Sequence, residues 1–408
     1  MAKMKLAHLS EAEYRKFWEK SSQRCFMSAP EIAHLHEGVK VFYLGVKRGS
    51  RVIAAVLVRG TSRRWGYDYY APRGPLMDYS DSKLVRFFLS EIKKYLRTQG
   101  GYIFRMDPNL MLVERDIDGH IVAGGKNNEQ VVAILRQLGF RKSRYIKDVS
   151  QVTWQFVLPV KGKTESELLS DMKSSARRRL ERALDLGIKI KNLEGDEIKS
   201  FYDVLSSTAT RKHFRIRDYS YFQKMYQLFS PSGGIEFVSA IINPKEAISK
   251  LNTELAVEQD RKPKTAREKK NHTDTIKSLQ TRIKNLQSLL GTEDREVVLS
   301  SGMFMTSQPE ILHLLGGNVS EYLKLDGQYV LQREMICRAV RGGYERYNFY
   351  GIPENIDTHP VNYGIYEFKR GFSGHVEQLI GEYELPLATP YYLHKAISRI
   401  KSVIKPSQ

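Results

Sequence analysis

Val41-Phe42-Tyr43-Leu44-Gly45-Val46-Lys47-Arg48-Gly49-Ser50-Arg51-Val52-Ile53-Ala54-Ala55-Val56-Leu57-Val58 is the stretch from which the fold is read. Two β-branched, strand-length runs, 41–46 and 52–58, flank a Lys-Arg-Gly-Ser turn, the signature of a β-hairpin. Downstream, Leu84, Phe87, Phe88, Ile92 and Leu96 fall at helical spacing between Ser82 and Arg97, and the pattern stops before Gly100-Gly101. Residues 101–108 read as a strand halted by Pro108, and 129–138 as a helix closed by Gly139-Phe140. Strands and helices mixed within one segment predict an α+β (mixed α/β) domain over residues 1–148.

The same grammar returns from about Val149. It comprises a strand at 152–158, a basic helix around 171–186, a helix over 198–211, and strands at 235–242 and 296–304. No sequence period accompanies the repetition. These elements assign 149–243 and 292–387 to a second domain, with 388–408 completing the first. The intervening 244–291 is almost free of aromatics. Within it, Ile276, Leu279, Ile283, Leu286 and Leu290 alternate spacings of three and four, and Ile248, Leu251 and Leu255 offer a matching stripe. That seam predicts an antiparallel coiled-coil arm, reversing in the polar stretch 260–271. Two helices of ~20 residues would project about 30 Å.

The 408 residues carry 65 Lys and Arg against 46 Asp and Glu, a net charge of +19. A field of that sign concentrates polyanions: nucleic acid, phosphorylated metabolites or an anionic leaflet. On the arm, Lys262, Lys264, Arg267, Lys269 and Lys270, with Arg261, make a candidate surface for tRNA or anionic lipid. A 41% hydrophobic and 27% charged composition excludes a disordered chain. No apolar run is long enough to span a membrane, and the start reads as no secretory signal. Two cysteines, Cys25 and Cys337, exclude a disulfide scaffold and fit a reducing, cytoplasmic compartment. Neither a metal-ligand spacing nor a Gly-x-Ser-x-Gly or Cys–His nucleophile is signalled.

Several local patterns then coincide. Tyr70-Ala71-Pro72-Arg73-Gly74-Pro75 follows a strand, and Arg177 sits in the basic run Lys173–Arg179. Thr208–Arg217 precedes Tyr221-Phe222, and Tyr347-Asn348-Phe349-Tyr350-Gly351-Ile352 precedes Tyr366-Glu367-Phe368-Lys369-Arg370-Gly371-Phe372. Gly381-Glu382-Tyr383 and Tyr391-Tyr392 close the series. In this order, with a helical arm between, they resemble the Fem/Mur (FemABX) non-ribosomal peptidyltransferases over essentially the whole chain.

The resemblance implies two tandem GNAT-like (acetyltransferase-like) domains plus the arm. It also implies transfer of an amino acid (Ala, Ser or Gly) from aminoacyl-tRNA to a peptide amine of a peptidoglycan precursor. No cofactor beyond the tRNA co-substrate is expected. The arm aligns the chain with the FemA, MurM and MurN type, which acts on lipid II at the membrane, so a cytoplasmic, peripherally membrane-associated enzyme is expected. Lys369 matches the family lysine thought to steady the oxyanion or leaving oxygen, and Phe368 the aromatic beside it. Asp107 sits where the family carries an aspartate proposed as general base. Arg211 matches the family arginine on precursor phosphates, with Arg217 and Tyr221 at family spacing and Arg73 in a structural turn that could reach an anion. His36 stands where the family has a phosphate-binding lysine, with Lys40 nearby.

Two other classes of function compete. An acyl-CoA-dependent N-acyltransferase would share the Leu138-Gly139-Phe140 helix ending, but Gly124-Gly125-Lys126-Asn127-Asn128 lacks the pyrophosphate-cradling turn of such enzymes. A non-enzymatic RNA- or membrane-binding protein would depend on the arm alone. Aminoacyl transfer itself needs a free amine, positive charge where an oxyanion forms, and a proton for the leaving ribose hydroxyl.

Overall fold

The computed structural model describes residues 3–143, 151–354, 356 and 363–392. The first half contains β1 (Met4–His8), α1 (Glu11–Trp18), β2 (Lys40–Arg48), β3 (Arg51–Arg63), β4 (Gly66–Ala71) and β5 (Leu76–Met77). It continues through α2 (Ser82–Thr98), β6 (Gly101–Met106), β7 (Met111–Glu114), α3 (Glu129–Gln137) and β8 (Arg141–Lys142). The second half opens with β9 (Trp154–Pro159), α4 (Glu165–Asp171), α5 (Ser174–Asp185), β10 (Lys189–Leu193), α6 (Ile198–Lys212), α7 (Tyr219–Phe229) and β11 (Ile235–Ile242). The arm helices α8 (Pro244–Asp260) and α9 (Ala266–Leu290) follow. Then come β12 (Val297–Ser307), β13 (Glu310–Asn318), α10 (Gly327–Arg341), β14 (Arg346–Gly351), α11 (Tyr363–Arg370), β15 (His375–Leu379) and β16 (Tyr383–Pro386).

These strands form two eight-stranded sheets. One is ordered β1-β2-β3-β4-β6-β16-β8, with β5 on β3, and the other β10-β11-β12-β13-β14-β9-β15-β7. Each contains one parallel pair around a crossover helix: β4 with β6 around α2, and β13 with β14 around α10. The second pair holds only from Glu310–Leu312 against Arg346–Asn348, and beyond it the strands part. That notch positions the site.

The expected division at 148 and 387 does not follow sheet membership. Strand β7 forms the edge of the second sheet through β15, and β16 lies inside the first, between β6 and β8. Each half thus lends the other a strand. Leu387 donates to the Tyr102 carbonyl (3.0 Å) and Tyr391 packs on Tyr102 and Ile103, while 393–408 lie outside the described residues. The basic helix expected around 171–186 begins later, at Ser174. There the chain turns at Met172–Lys173, and the Lys173 N–H donates to the Gly371 carbonyl at 3.0 Å. In the arm, Thr265 and Glu268 form a capping box that starts α9, and Ile248, Leu251, Leu279, Ile283, Leu286 and Leu290 join the second half's core. Arg261 pairs with Glu258 at 3.7 Å, and Lys262, Lys264, Arg267, Lys269 and Lys270 are exposed at the far end.

A core under α2 and α3 serves the first half, and one under α5, α10 and α11 the second. A third core fuses the two: Ala55 and Leu57 of β3 and Tyr14 of α1 pack with Phe201, Phe222 and the β12 residues Met303 and Met305. The second sheet also buries a charge network. Arg346 lies 2.9 Å from Glu310 Oε2 and donates to Glu377 Oε1 at 3.1 Å, while Gln155 donates to Glu377 Oε2 and Asn348 to the same Glu310 Oε2. Burial pushes the Glu377 carboxyl up, but Arg346 and His375 outweigh it and hold it at about 2. Removing one carboxylate leaves part of a buried guanidinium charge uncompensated. Glu310→Leu is expected to cost about 3–5 kcal/mol, read as a lowered urea-unfolding midpoint.

Candidate active site

Arg73 sits in the loop between β4 and β5, left-handed at φ 51° and 3% exposed. Its N–H donates to Asp107 Oδ1 (2.9 Å), which also accepts from the Tyr70 hydroxyl (2.8 Å). Arg73 Nη1 faces Asp107 Oδ2 at 3.5 Å, and Nη2 reaches across to the Val152 carbonyl of the second half at 3.0 Å. Burial raises the Asp107 carboxyl and Arg73 opposes that rise. The carboxylate is 1% exposed: both donors go to Oδ1, and the buried Oδ2 has no hydrogen-bond partner, only the Arg73 guanidinium at 3.5 Å. Asp107, expected as a general base, thus sits in a buried ion pair of which Arg73 is the other half.

On β3, the inward row Ala55, Leu57 continues into Arg59, which lies opposite Tyr70 of β4. The buried Arg59 Nε has no hydrogen-bond partner. Burial lowers the pKa of this guanidinium, offset in part by Tyr221 and Tyr70. His36 is lowered by burial and by the positive charges of Arg59 and Arg217, and the Arg217 guanidinium lies 5.8 Å from the Tyr221 ring centre. Three basic side chains and two phenols thus converge, with no carboxylate acting on His36 or Arg59, while Tyr70 gives its proton to Asp107. That is the chemistry of an anion site.

Of the expected phosphate ligands, His36, Arg217 and Tyr221 are brought together here and Arg211 and Lys40 are not. Helix α6 ends at Lys212 with His213 left-handed (φ 53°), which turns the chain between the two arginines. Arg211 instead points at the Asn318 carbonyl, 3.5 Å away. Lys40 pairs in register with Gly60, so it occupies the opposite face from Arg59, with its ammonium 3.8 Å from the Tyr67 ring centre. Arg59 is the residue that sequence reasoning missed. Its signal was a cation continuing the parity of an apolar inward row.

On the other face of the second sheet, α11 carries Lys369. Its ammonium donates to the Gly351 carbonyl at 2.5 Å, where β14 ends beside the notch. Burial alone lowers this lysine to about 7. Phe368 packs edge-on against Tyr329 (4.9 Å between ring centres) as a wall of the core. His313, the first β13 residue beyond the parallel pairing, stacks on Phe304 at 4.7 Å. The Tyr347 hydroxyl donates to Gln332 Oε1 (2.7 Å), whose amide then donates to His313 Nδ1 (3.1 Å), which leaves the proton on Nε2. Burial and Lys369 together lower this imidazole to about 3, so it stays neutral. Gly302 and Gly316 leave room for the ring: a Cβ on Gly316 would lie 2.5 Å from Nε2.

At the start of α2, where nucleotide pyrophosphates bind in related architectures, the protein's own carboxylate takes the N–H groups. Asp81 accepts from the Lys83 and Leu84 N–H groups at the start of α2 (3.1 and 3.0 Å). At the start of α10, Asp326 is held by Arg179 Nε and Nη2 (2.9 and 2.6 Å). At α2 a CoA pyrophosphate would meet a carboxylate where it needs donors, while at α10 Asp326 is turned to Arg179 and caps no helix N–H. Among the described residues, no group of three or more His, Cys, Asp or Glu side chains is arranged to hold a metal ion.

Two mixed sheets, each with a parallel pair around a crossover helix, give this chain a tandem GNAT-like fold. A tandem GNAT protein from the clavulanic acid biosynthesis pathway superposes with a TM-score of 0.50 at 10% identity, covering 95% of this chain and 99% of that one. The crystal structure of FemX superposes with a TM-score of 0.75 at 22% identity, again covering 95% and 99%. Residues 9–399 match the FemAB family. An aminoacyltransferase FemB from Staphylococcus epidermidis is 30% identical, covering 98% of this chain and all (100%) of the relative. An aminoacyltransferase FemA from the same species is 26% identical with the same coverage. The chain belongs to the FemAB family of aminoacyltransferases.

Loss of one charge-assisted contact is worth about 1.5–3 kcal/mol, or roughly 10- to 150-fold in affinity. Arg59→Ala and Arg217→Ala are each expected to raise KM for an anionic acceptor in that range. Arg211→Ala and Lys40→Ala should change it less than threefold, as steady-state kinetics with varied acceptor would show.

Proposed function

We propose that the enzyme transfers alanine, serine or glycine from aminoacyl-tRNA to the stem- or branch-peptide amine of a peptidoglycan precursor, lipid II, and so builds the interpeptide bridge. The observation that carries this reading is the pair of sites on opposite faces of the second sheet. The carboxylate-free cluster of His36, Arg59 and Arg217 suits the precursor's diphosphate. Lys369, beside the parted β13 and β14, suits an ester entering from the other side. The net charge of +19 and the exposed arm cations support long-range attraction of both polyanions.

In this mechanism the unprotonated acceptor amine attacks the ester carbonyl carbon. A C–N bond forms and the carbonyl electrons move onto oxygen, where the Lys369 ammonium stabilises them. Collapse breaks the C–O bond to the ribose, and the leaving oxygen takes a proton that the attacking amine has released or that Lys369 supplies. A lysine near 7 can give and regain that proton at neutral pH. No side-chain nucleophile is needed. No helix among the described residues is long and apolar enough to cross a membrane. Access to lipid II is therefore assigned to peripheral, electrostatic association with the inner face of the cytoplasmic membrane.

Incubating the purified protein with lipid II and individually charged tRNAs, then weighing the product, tests the assignment. A mass gain of one residue with one of the three amino acids is expected, and no gain with any charged tRNA overturns it. Lys369→Ala is expected to lower kcat by about 10²–10³-fold, the usual loss for one oxyanion donor. Because the ammonium is the working form, kcat should fall as pH rises through about 7, and Lys369→Arg should move that alkaline limb upward.

A further inference from the structure

We propose that one end of the first sheet is the surface on which the enzyme docks to an anionic lipid bilayer. It is formed by the β3–β4 turn with Arg63, Arg64 and Trp65, the α2–β6 turn, and residues 387–392. The inference deepens the reading of a lipid-linked acceptor and rests on it. Contacts gather the three segments although they lie far apart along the chain. The Tyr67 N–H donates to the Gly100 carbonyl (2.9 Å), Arg97 Nε to the Leu387 carbonyl (2.8 Å), and the Leu387 N–H to the Tyr102 carbonyl (3.0 Å). Strand β8 reaches the same end, where the Arg141 guanidinium lies 5.9 Å from the Tyr392 ring centre. Arg63, Arg64, Arg97 and Arg141 are exposed, and Tyr392 is 54% exposed. Trp65 is half-buried, its ring centre 5.8 Å from the Arg64 guanidinium.

Charge complementarity selects the partner. Residues 62–67, 96–102, 140–142 and 387–392 contain no Asp or Glu. Asp68 and Glu384, the nearest acids along the chain to the β3–β4 turn and to 387–392, are engaged within the protein. Asp68 pairs with Arg105 (3.1 Å), and Glu384, 6% exposed, accepts from the Tyr391 hydroxyl (2.9 Å). Among the described residues neither Arg63 nor Arg64 takes part in an ion pair, so both charges are left for an external partner. Arginines interleaved with Trp and Tyr suit the headgroup level of a bilayer, where the rings enter and the charges meet lipid phosphates. The position of the anion site favours a membrane over a nucleic acid. Arg59, Thr61 and Arg63 share one face of β3 in regular pairing with β4, and four residues span about 13 Å. An acceptor whose diphosphate rests on Arg59 therefore has its lipid within reach of this end.

Sedimentation of the full chain with vesicles, in the absence of substrates, tests the surface directly. Tighter binding to vesicles containing phosphatidylglycerol than to pure phosphatidylcholine vesicles is expected, weakening as salt is added. Each arginine beside an anionic surface is worth roughly fivefold, so Arg63→Ser, Arg64→Ser and Arg141→Ser combined should weaken binding by roughly 100-fold. Tyr392→Ser should weaken it with the charge unchanged. In transfer assays the triple variant should lose activity toward lipid II in vesicles and keep it toward a water-soluble acceptor without the lipid, which a misfolded chain would not do. Undiminished vesicle binding by the triple variant overturns the inference. So does a loss seen only when Lys262, Lys264, Arg267, Lys269 and Lys270 of the arm are replaced. Loss of tRNA binding in place of vesicle binding would make this end a nucleic-acid surface and overturn it too. If the chain binds vesicles through these arginines yet adds no residue to lipid II or to the soluble acceptor, the assigned reaction fails and the docking surface stands, so the two failures are told apart.

Discussion

The buried guanidinium of Arg73 is the contact on which the arrangement of the molecule depends. A charge that is 3% exposed is tolerable only where its solvation is replaced. Here the replacement comes from both halves: Asp107 on one side, the Val152 carbonyl and the Tyr350 hydroxyl on the other. Pulling the halves apart would strand that charge between them. The apolar contribution works in the same direction, since the third core, with Phe201, Phe222 and Met303, belongs to neither sheet alone. The exchanged strands β7 and β16 add main-chain hydrogen bonds to the same joint. The two halves are thus held as one body, which an enzyme needs when it must hold two large substrates in register.

Within that body the second sheet works as a partition. Its α6–α7 face turns Arg217 and Tyr221 toward Arg59, and its α10–α11 face carries Lys369 and His313. Between its two faces the pairing of β13 with β14 stops after Leu312 and Asn348. The partition also separates two electrostatic environments. On the interdomain side, several cations meet without a carboxylate and favour a bound anion. On the helix side, burial depresses a single lysine and the neighbouring imidazole is kept neutral, so that one proton can be held or released near neutrality. The Asp81 carboxylate at the start of α2 adds to the division, because it takes two N–H groups that a coenzyme pyrophosphate would need.

Much of the architecture was legible in the residues. The hairpin of β2 and β3, the helices α2, α3 and α6, the strand β11 and the arm all follow from local periodicity, which a folded chain obeys wherever one face of an element meets a core. The two exchanged strands were not legible. Met111–Glu114 and Tyr383–Pro386 are short, and nothing in four residues records which sheet they join. The break between α4 and α5 was hidden for a similar reason, since a backbone contact to Gly371, distant in sequence, sets it.

The sequence by itself determined the class of element at most positions, the excess of positive charge, the arm with its exposed lysines and arginines, and Lys369 as the lysine to examine. Only the tertiary structure decided which charges act together. It gathered Arg59 with His36 and Arg217 and left Arg211 and Lys40 outside. It enclosed Asp107 as a partner of Arg73 and set a neutral His313 beside Lys369. Propensity and periodicity are local properties, read within one or two turns of the chain. A pKa, an ion pair or an anion site depends on distances of a few ångströms between residues well separated along the chain, and only the packed fold sets those.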